Sequence, residues 1–279
     1  MSPERQAAVL RCLVEGNSIR ATVRLTGAAK NTVVKLLRDV GSACLNHHDR
    51  AVQNVSCRRV QCDEIWAFVG SKEKNTAPEK KDLGWGDVWT WTAIDQDSKL
   101  VLSYEVGDRD PDTAQAFAFD LAGRLANRVQ LTTDGLRLYL TAVEDAFGRE
   151  VDYAMLVKMY SEGGGVDGAR RYSPARYVSS RKVAVTGDPV VKDITTSHVE
   201  RSNLTMRMSM RRFTRLTNAF SKKSENHLLA VALHFSFYNY CRPHMTLNKR
   251  NDGKPTTPAM AAGLADRVWT VYDLLGLAD

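Results

Sequence analysis

Apolar positions recur at helical spacing through the first forty or so residues and then change period. Val9, Leu10 and Leu13 form one stripe that stops at Gly16. Ser18 is placed to cap a second short helix with Ile19 and Val23 on one face, and Gly27 breaks it. A third helix is predicted from about Ala29 to Val40, with Val33, Val34 and Leu37 turned inward. Three short helices with a glycine turn before the last give a helix-turn-helix arrangement. Residues 1–45 are therefore expected to form a small separate domain. The polar stretch Asn46–Ser56 reads as a linker of residues 46–56.

Beyond it the period falls to two. Arg58–Val69, Val88–Ile94 and Leu100–Val106 alternate and are rich in β-formers, so three strands in an antiparallel meander are expected. Gly70–Gly86 between the first two is polar and predicts a loop. Asp112–Asn127 predicts a helix entered through Asp110-Pro111. Val129–Thr133 reads as a strand, Leu136–Phe147 as a helix ended by Gly148, and Val151–Val157 as a strand. Residues 158–197, with Gly163-Gly164-Gly165 and many cations, read as an irregular insertion. From Val199 a helix is predicted to about Tyr240, then a loop over Cys241–Pro258 and a short C-terminal helix within 261–279. The order βββαβαβα is that of an α/β, ribonuclease-H-like mixed sheet, expected over residues 57–260.

Charge adds a partner class. Lysine plus arginine number 39 against 32 acids, a formal net charge of +7. That excess favours a polyanion such as nucleic acid. The outward residues of the third helix, Lys30, Asn31, Thr32, Lys35 and Arg38, are types that contact bases and phosphates. The alternative is a packing module with a solvated basic face. No stretch approaches the ~20 apolar residues of a membrane helix, and no secretory leader is legible, so a cytoplasmic protein is expected. Cys44, His47, His48, Cys57 and Cys62 are zinc-ligand types. They lack a Cys-x-x-Cys pair, and Cys62 falls within a strand, so buried or free thiols are the favoured reading.

The strand order brings two acids together. In such a sheet the first and fourth strands lie side by side and parallel, which places Asp63 (QCDEIW) near Asp134 (LTTDG). A third carboxylate is expected from the following helix. There Glu200, Asn203, Arg207 and Arg211 share one face, while Val199, Met206, Met210 and Phe213 share another. Asp193, Glu162 and Glu225 compete with Glu200 for that role. Converging carboxylates repel unless a cation sits among them. Mg²⁺ or Mn²⁺ accepts such hard oxygen ligands, and two ions ~4 Å apart support in-line displacement at a phosphodiester. Glu64, the next residue along the strand, is expected on the opposite face at the surface. His198 either orients a ligand or phosphate, or is a solvated histidine at a helix start. Arg207, Arg211, Arg212 and Arg215 are candidates for phosphate contact, as are Arg170, Arg171, Arg176, Arg181 and Lys182 of the insertion. Trp89 and Trp91 are expected in the core by alternation.

Four motifs in order resemble the insertion-sequence transposases with an Asp-Asp-Glu triad, of the integrase and ribonuclease-H-like superfamily. They are Asp63-Glu64-Ile65-Trp66, Thr133-Asp134-Gly135, His198-Val199-Glu200-Arg201-Ser202-Asn203, and Phe237 to His244 followed by Leu247 and Thr257-Pro258-Ala259. The resemblance implies a Mg²⁺-dependent enzyme that cuts transposon ends and transfers them into target DNA, with Asp63, Asp134 and Glu200 as metal ligands. It also implies a dimer or larger assembly on DNA. Two other readings stay open: a metal-dependent nuclease of the same fold that does not join strands, and a non-catalytic DNA-binding regulator.

Overall fold

The computed structural model describes residues 1–160, 177–214 and 216–278. Its N-terminal helices are α1 (Pro3–Val14), α2 (Ile19–Thr26) and α3 (Lys30–Ala51). Ser18 caps α2, its Oγ accepting from the Ala21 amide at 3.1 Å. Gly27 ends α2 in the left-handed region at φ 65°. The Gly27 carbonyl accepts from Arg5 at 2.8 Å, which ties this turn to α1.

α3 does not stop near Val40 but continues for 22 residues, so the first half of the expected linker is helical. The reason is tertiary. Cys44 and His48 face inward, and His48 Nε2 bonds the Leu102 carbonyl at 3.1 Å. The last α3 carbonyls are met by a buried arginine: Arg124 Nη1 donates to Val52 O at 3.1 Å, and Arg124 Nη2 to Asp49 at 2.8 Å. A cation at a helix C-terminus is favourable, and here it comes from 75 residues away. One apolar cluster joins Val9, Leu10, Val33 and Leu37 of the helices to Ile65, Val101 and Phe235. The N-terminal helices thus share a core with the rest of the chain.

The sheet has six strands in the order β3 (Val101–Gly107), β2 (Gly86–Asp95), β1 (Arg59–Val69), β4 (Val129–Thr133), β5 (Val151–Tyr160) and β6 (Tyr177–Thr186). β1 (Arg59–Val69) is followed by the short helix α4 (Pro78–Lys81) inside the expected loop, then β2 (Gly86–Asp95) and β3 (Val101–Gly107). Helix α5 (Pro111–Arg124), β4 (Val129–Thr133), α6 (Leu138–Phe147) and β5 (Val151–Tyr160) complete the alternating part. β1 pairs antiparallel with β2 and parallel with β4, and β4 pairs parallel with β5. The mixed sheet is compatible with the ribonuclease-H-like arrangement expected from the element order. Trp91 is fully buried in its core, whereas Trp89 is half-buried under the Arg109 guanidinium.

Residues 158–197 are not irregular throughout. β6 (Tyr177–Thr186) pairs antiparallel with β5 as the sixth strand. Most of its side chains are exposed, so no inside-outside alternation marks it. Gly163-Gly164-Gly165, Glu162, Arg170, Arg171 and Arg176 lie outside the described residues, as does Arg215.

The long helix expected from Val199 to Tyr240 is two helices. α7 (Ser197–Ser209) ends at Met210, which is extended at φ −137° and ψ 103°, and a 3-10 turn comes next over Arg211–Phe213. Met206, Met210 and Phe213 stay buried across the break, so the apolar repeat outlasts the helix that it suggested. The chain then passes beside β1, where the Gly70 amide donates to Ser221 O at 2.8 Å. α8 (Ser224–Ser236) packs along α3 and continues as a π-helical turn over Phe237–Cys241. Gly41 of α3 permits that approach, since a Cβ there would lie 2.5 Å from Leu229 O. The short helices α9 (Met245–Arg250), α10 (Pro258–Ala261) and α11 (Val271–Gly276) close the chain. Among the described residues no helix is long and apolar enough to cross a membrane.

Candidate functional site

β1 and β4 run parallel with Gln61 opposite Thr132, so two residues further on Asp63 of β1 meets Asp134 just past the end of β4. Oxygen atoms of Asp63, Glu64 and Asp134 all lie within 4.8 Å of one another. Among the described residues this is the one group of three or more acids, histidines or cysteines close enough to share a cation.

Each acid is positioned differently. Asp63 is half-buried, and its Oδ2 accepts from Asn203 Nδ2 at 2.9 Å. Among the described residues it has no cationic partner. Burial pushes its carboxyl up to about 7, with Glu64, Asp134 and Glu200 adding repulsion. Asp134 accepts from the Leu136 amide at 2.9 Å, which starts the turn into α6. Burial raises its pKa as well, against the opposing pull of Arg109 and Lys158.

Glu64 corrects the sequence reading. It is not at the surface: its side chain is 2% exposed and is ion-paired with Arg109, and Tyr139 Oη donates to Oε2 at 3.3 Å. Burial and Asp134 raise its pKa, and Arg109 lowers it. Strict alternation predicted a solvent-facing side chain. The opposite face of β1, however, is covered by α5 and α6, so both faces of the strand are interior. Arg109 and Tyr139 had no motif to mark them; they reach the site only through the fold.

Glu200, on the first turns of α7, accepts from Thr196 and is ion-paired with Lys158 of β5. It is near enough to add repulsion at Asp63 and Asp134 but does not join the 4.8 Å group. Its competitors are engaged elsewhere: Asp193 pairs with Arg59 at 3.1 Å and Glu225 with Arg38 at 2.7 Å. Asn203 shares the Glu200 face and contacts Asp63. Arg207 comes one turn later, half-buried. Arg211 lies beyond the helix break, exposed on the 3-10 turn, so the row of four expected on one helical face extends only to Arg207.

His198 is half-buried, its ring 3.2 Å from Lys99 Nζ. Burial lowers its pKa, and Lys99, Arg250 and His244 lower it further. Its amide and that of Val199 donate to Gln61 Oε1, pinning the start of α7 to β1. In the C-terminal signature, Asn239 is fully buried and pairs with the Val101 backbone like a strand, donating to its carbonyl and accepting from its amide, both at 3.0 Å. That motif holds the edge of β3.

On α3, Lys30, Asn31 and Thr32 are exposed without an ion pair among the described residues, while Lys35 pairs with Asp39 at 2.5 Å and Arg38 with Glu225. The five cysteines are unpaired, and burial raises Cys44 and Cys57 to about 12.

No family model matches the chain, and no curated protein matches it. Among solved structures, it aligns with a chain from a cryo-EM structure of a piggyBac transposase synaptic complex with hairpin DNA. The identity is 10% and the TM-score 0.45, over 99% of this chain and 70% of that one.

Proposed function

We propose that the chain is a transposase of the Asp-Asp-Glu type, cutting DNA ends and joining them to a target strand. The observation that carries this reading is the pair Asp63 and Asp134. The two carboxylates come from adjacent parallel strands, share a 4.8 Å group, and have no ion-paired partner among the described residues. Half-buried carboxylates that face one another without an ion pair are costly unless a cation completes them. The donors are hard oxygens throughout, which fits Mg²⁺ or Mn²⁺ and not a thiolate-bound metal. Asp63 and Asp134 would hold the ions, with Glu200 as third ligand once it leaves Lys158. When bound, two such ions activate the attacking oxygen and stabilise the leaving one. Asn203 would fix the Asp63 carboxylate, and Arg207, one turn further along, would contact a phosphate.

In the same reading residues 1–45 recognise the DNA ends through Lys30, Asn31 and Thr32, and two or more copies hold two ends. Arg211, and Arg181 and Lys182 of β6, are further candidates for backbone contact.

The test is a joining assay with a labelled DNA end and Mg²⁺. Wild type should give joined product. Asp63→Ala, Asp134→Ala and Glu200→Ala should each lower cleavage and joining by several orders of magnitude, because the ions supply most of the transition-state charge stabilisation. Cut product without joining supports the nuclease reading. A shifted band without cleavage supports the regulator. Alanine at Asp63 or Asp134 with joining near wild type would sink the mechanism.

A further inference from the structure

A second basic feature lies away from the carboxylates. A cavity of about 1170 Å³ opens between α2, the start of α3, the end of β1 and the segment joining α7 to α8. Arg20, Arg24, Lys30, Lys72, Lys222 and Lys223 line it, and Arg211 and Arg212 add two more cations. Among the described residues no carboxylate lines it and none of these eight is ion-paired. Other cations behave differently: Lys35, Arg38, Lys81, Arg109 and Arg124 all have acidic partners. In a chain with 32 acids this segregation leaves a local positive field without counter-charge.

Arg212 sharpens the point. Its guanidinium donates only to neutral oxygens, Ser221 Oγ at 2.9 Å and Asn226 O at 3.1 Å, and burial lowers its pKa to about 10. Two further polar atoms of the lining, His234 Nδ1 and Asn226 Oδ1, are buried without a hydrogen-bond partner. A half-buried cation and two unpaired polar atoms in one cavity are together complementary to a ligand that carries both charge and hydrogen-bonding edges.

Two aromatic rings, Phe68 and Phe220, also line the cavity. Phe220 is half-buried, its ring 4.9 Å from that of Phe68, and Lys222 Nζ lies 3.3 Å from its centroid. Lys72 lies 5.4 Å from the Trp66 ring and 5.9 Å from the Phe68 ring. Cations interleaved with aromatic rings suit a strand whose bases stack while its phosphates run along the rim.

We propose that this cavity binds a short unpaired segment of a DNA strand, with phosphates on the rim lysines and arginines and a base against Phe220. This rests on the reading that the chain acts on DNA, and it names where an unpaired end would be held.

The test uses the whole protein in EDTA, so that metal chemistry plays no part. Fluorescence anisotropy measures binding of a labelled six-nucleotide thymidine strand, its ribose counterpart, a blunt duplex, and a polyglutamate competitor. Phe220→Ala should weaken binding of the deoxy strand about tenfold without changing its salt dependence, and Phe220→Trp should restore it. The double variant Lys222→Ala/Lys223→Ala should reduce the salt slope by about 1.4. Melting temperatures near wild type show that both variants fold. The proposal is overturned if Phe220→Ala binds like wild type, if the duplex responds to these variants as the single strand does, if the ribose strand binds more tightly, or if polyglutamate competes equally. Failure of joining with binding intact sinks the transposase reading alone; joining with no Phe220 effect sinks this one alone.

Discussion

Replacing Asp63 by Asn removes one charge from the acidic group while keeping an oxygen for the Asn203 bond. Lifting a carboxyl from 3.8 to about 7 on folding separates its two protonation states by about 4 kcal/mol. Linkage sets the sign. With its pKa raised in the folded state, Asp63 holds its proton there to higher pH than in the unfolded chain. Its contribution to stability is therefore full below about pH 4 and is lost as pH rises through 7. The Asn variant does not titrate. Its stability relative to wild type should thus be greater at pH 8 than at pH 5 by about 2–3 kcal/mol. For a chain of this size that is a relative rise in Tm of about 3–5 °C. Thermal melts of both proteins in EDTA at the two pH values measure it. Mg²⁺ at millimolar concentration should then raise the wild-type Tm at pH 8 by satisfying the same carboxylates, and should raise that of Asp63→Asn much less. If the Tm difference between the proteins is the same at both pH values, and Mg²⁺ moves both alike, the carboxylates are not an uncompensated cation site.

Neighbouring contacts give three further outcomes. Glu64→Gln should cost about 1–3 kcal/mol by weakening the Arg109 pair, yet leave the Mg²⁺-dependent rise in Tm intact; loss of that rise would move Glu64 into the ligand set. Lys158→Met frees Glu200 from its ion pair, so the Mg²⁺ concentration giving half the maximal Tm shift should fall several-fold, and an unchanged titration would remove Glu200 from the site. Gly41→Ala places a Cβ 2.5 Å from Leu229 O and 2.8 Å from Leu229 Cβ. It should cost about 1–3 kcal/mol by chemical or thermal unfolding, although alanine favours a helix by about 1 kcal/mol. A variant as stable as wild type would show that α3 and α8 do not pack so closely.

The alternation of β1 and β2, the capping of α2 by Ser18 and the stop at Gly27 are written in local sequence, because each depends on side chains within a few positions. The pairing of Asp63 with Asp134 was also legible, since the order of strands and helices leaves few ways to form a sheet and the parallel neighbours bring those two positions together. Other features depended on partners far along the chain. α3 runs on through apparently polar residues because Arg124 and the Leu102 carbonyl meet them. α7 stops at Met210 while its apolar repeat continues, because a 3-10 turn of period three buries Phe213 as well as a helix would. β6 has no pattern to read, since an edge strand exposed on both faces is selected by backbone pairing alone. Glu64 is interior because α5 and α6 cover the face of β1 that alternation assigned to solvent, and only that cover brings Arg109 and Tyr139 to it. Sequence periodicity specifies which face of an element is apolar; which other elements cover its remaining surface, and hence which charges are buried or left unpaired, is decided only when distant segments pack.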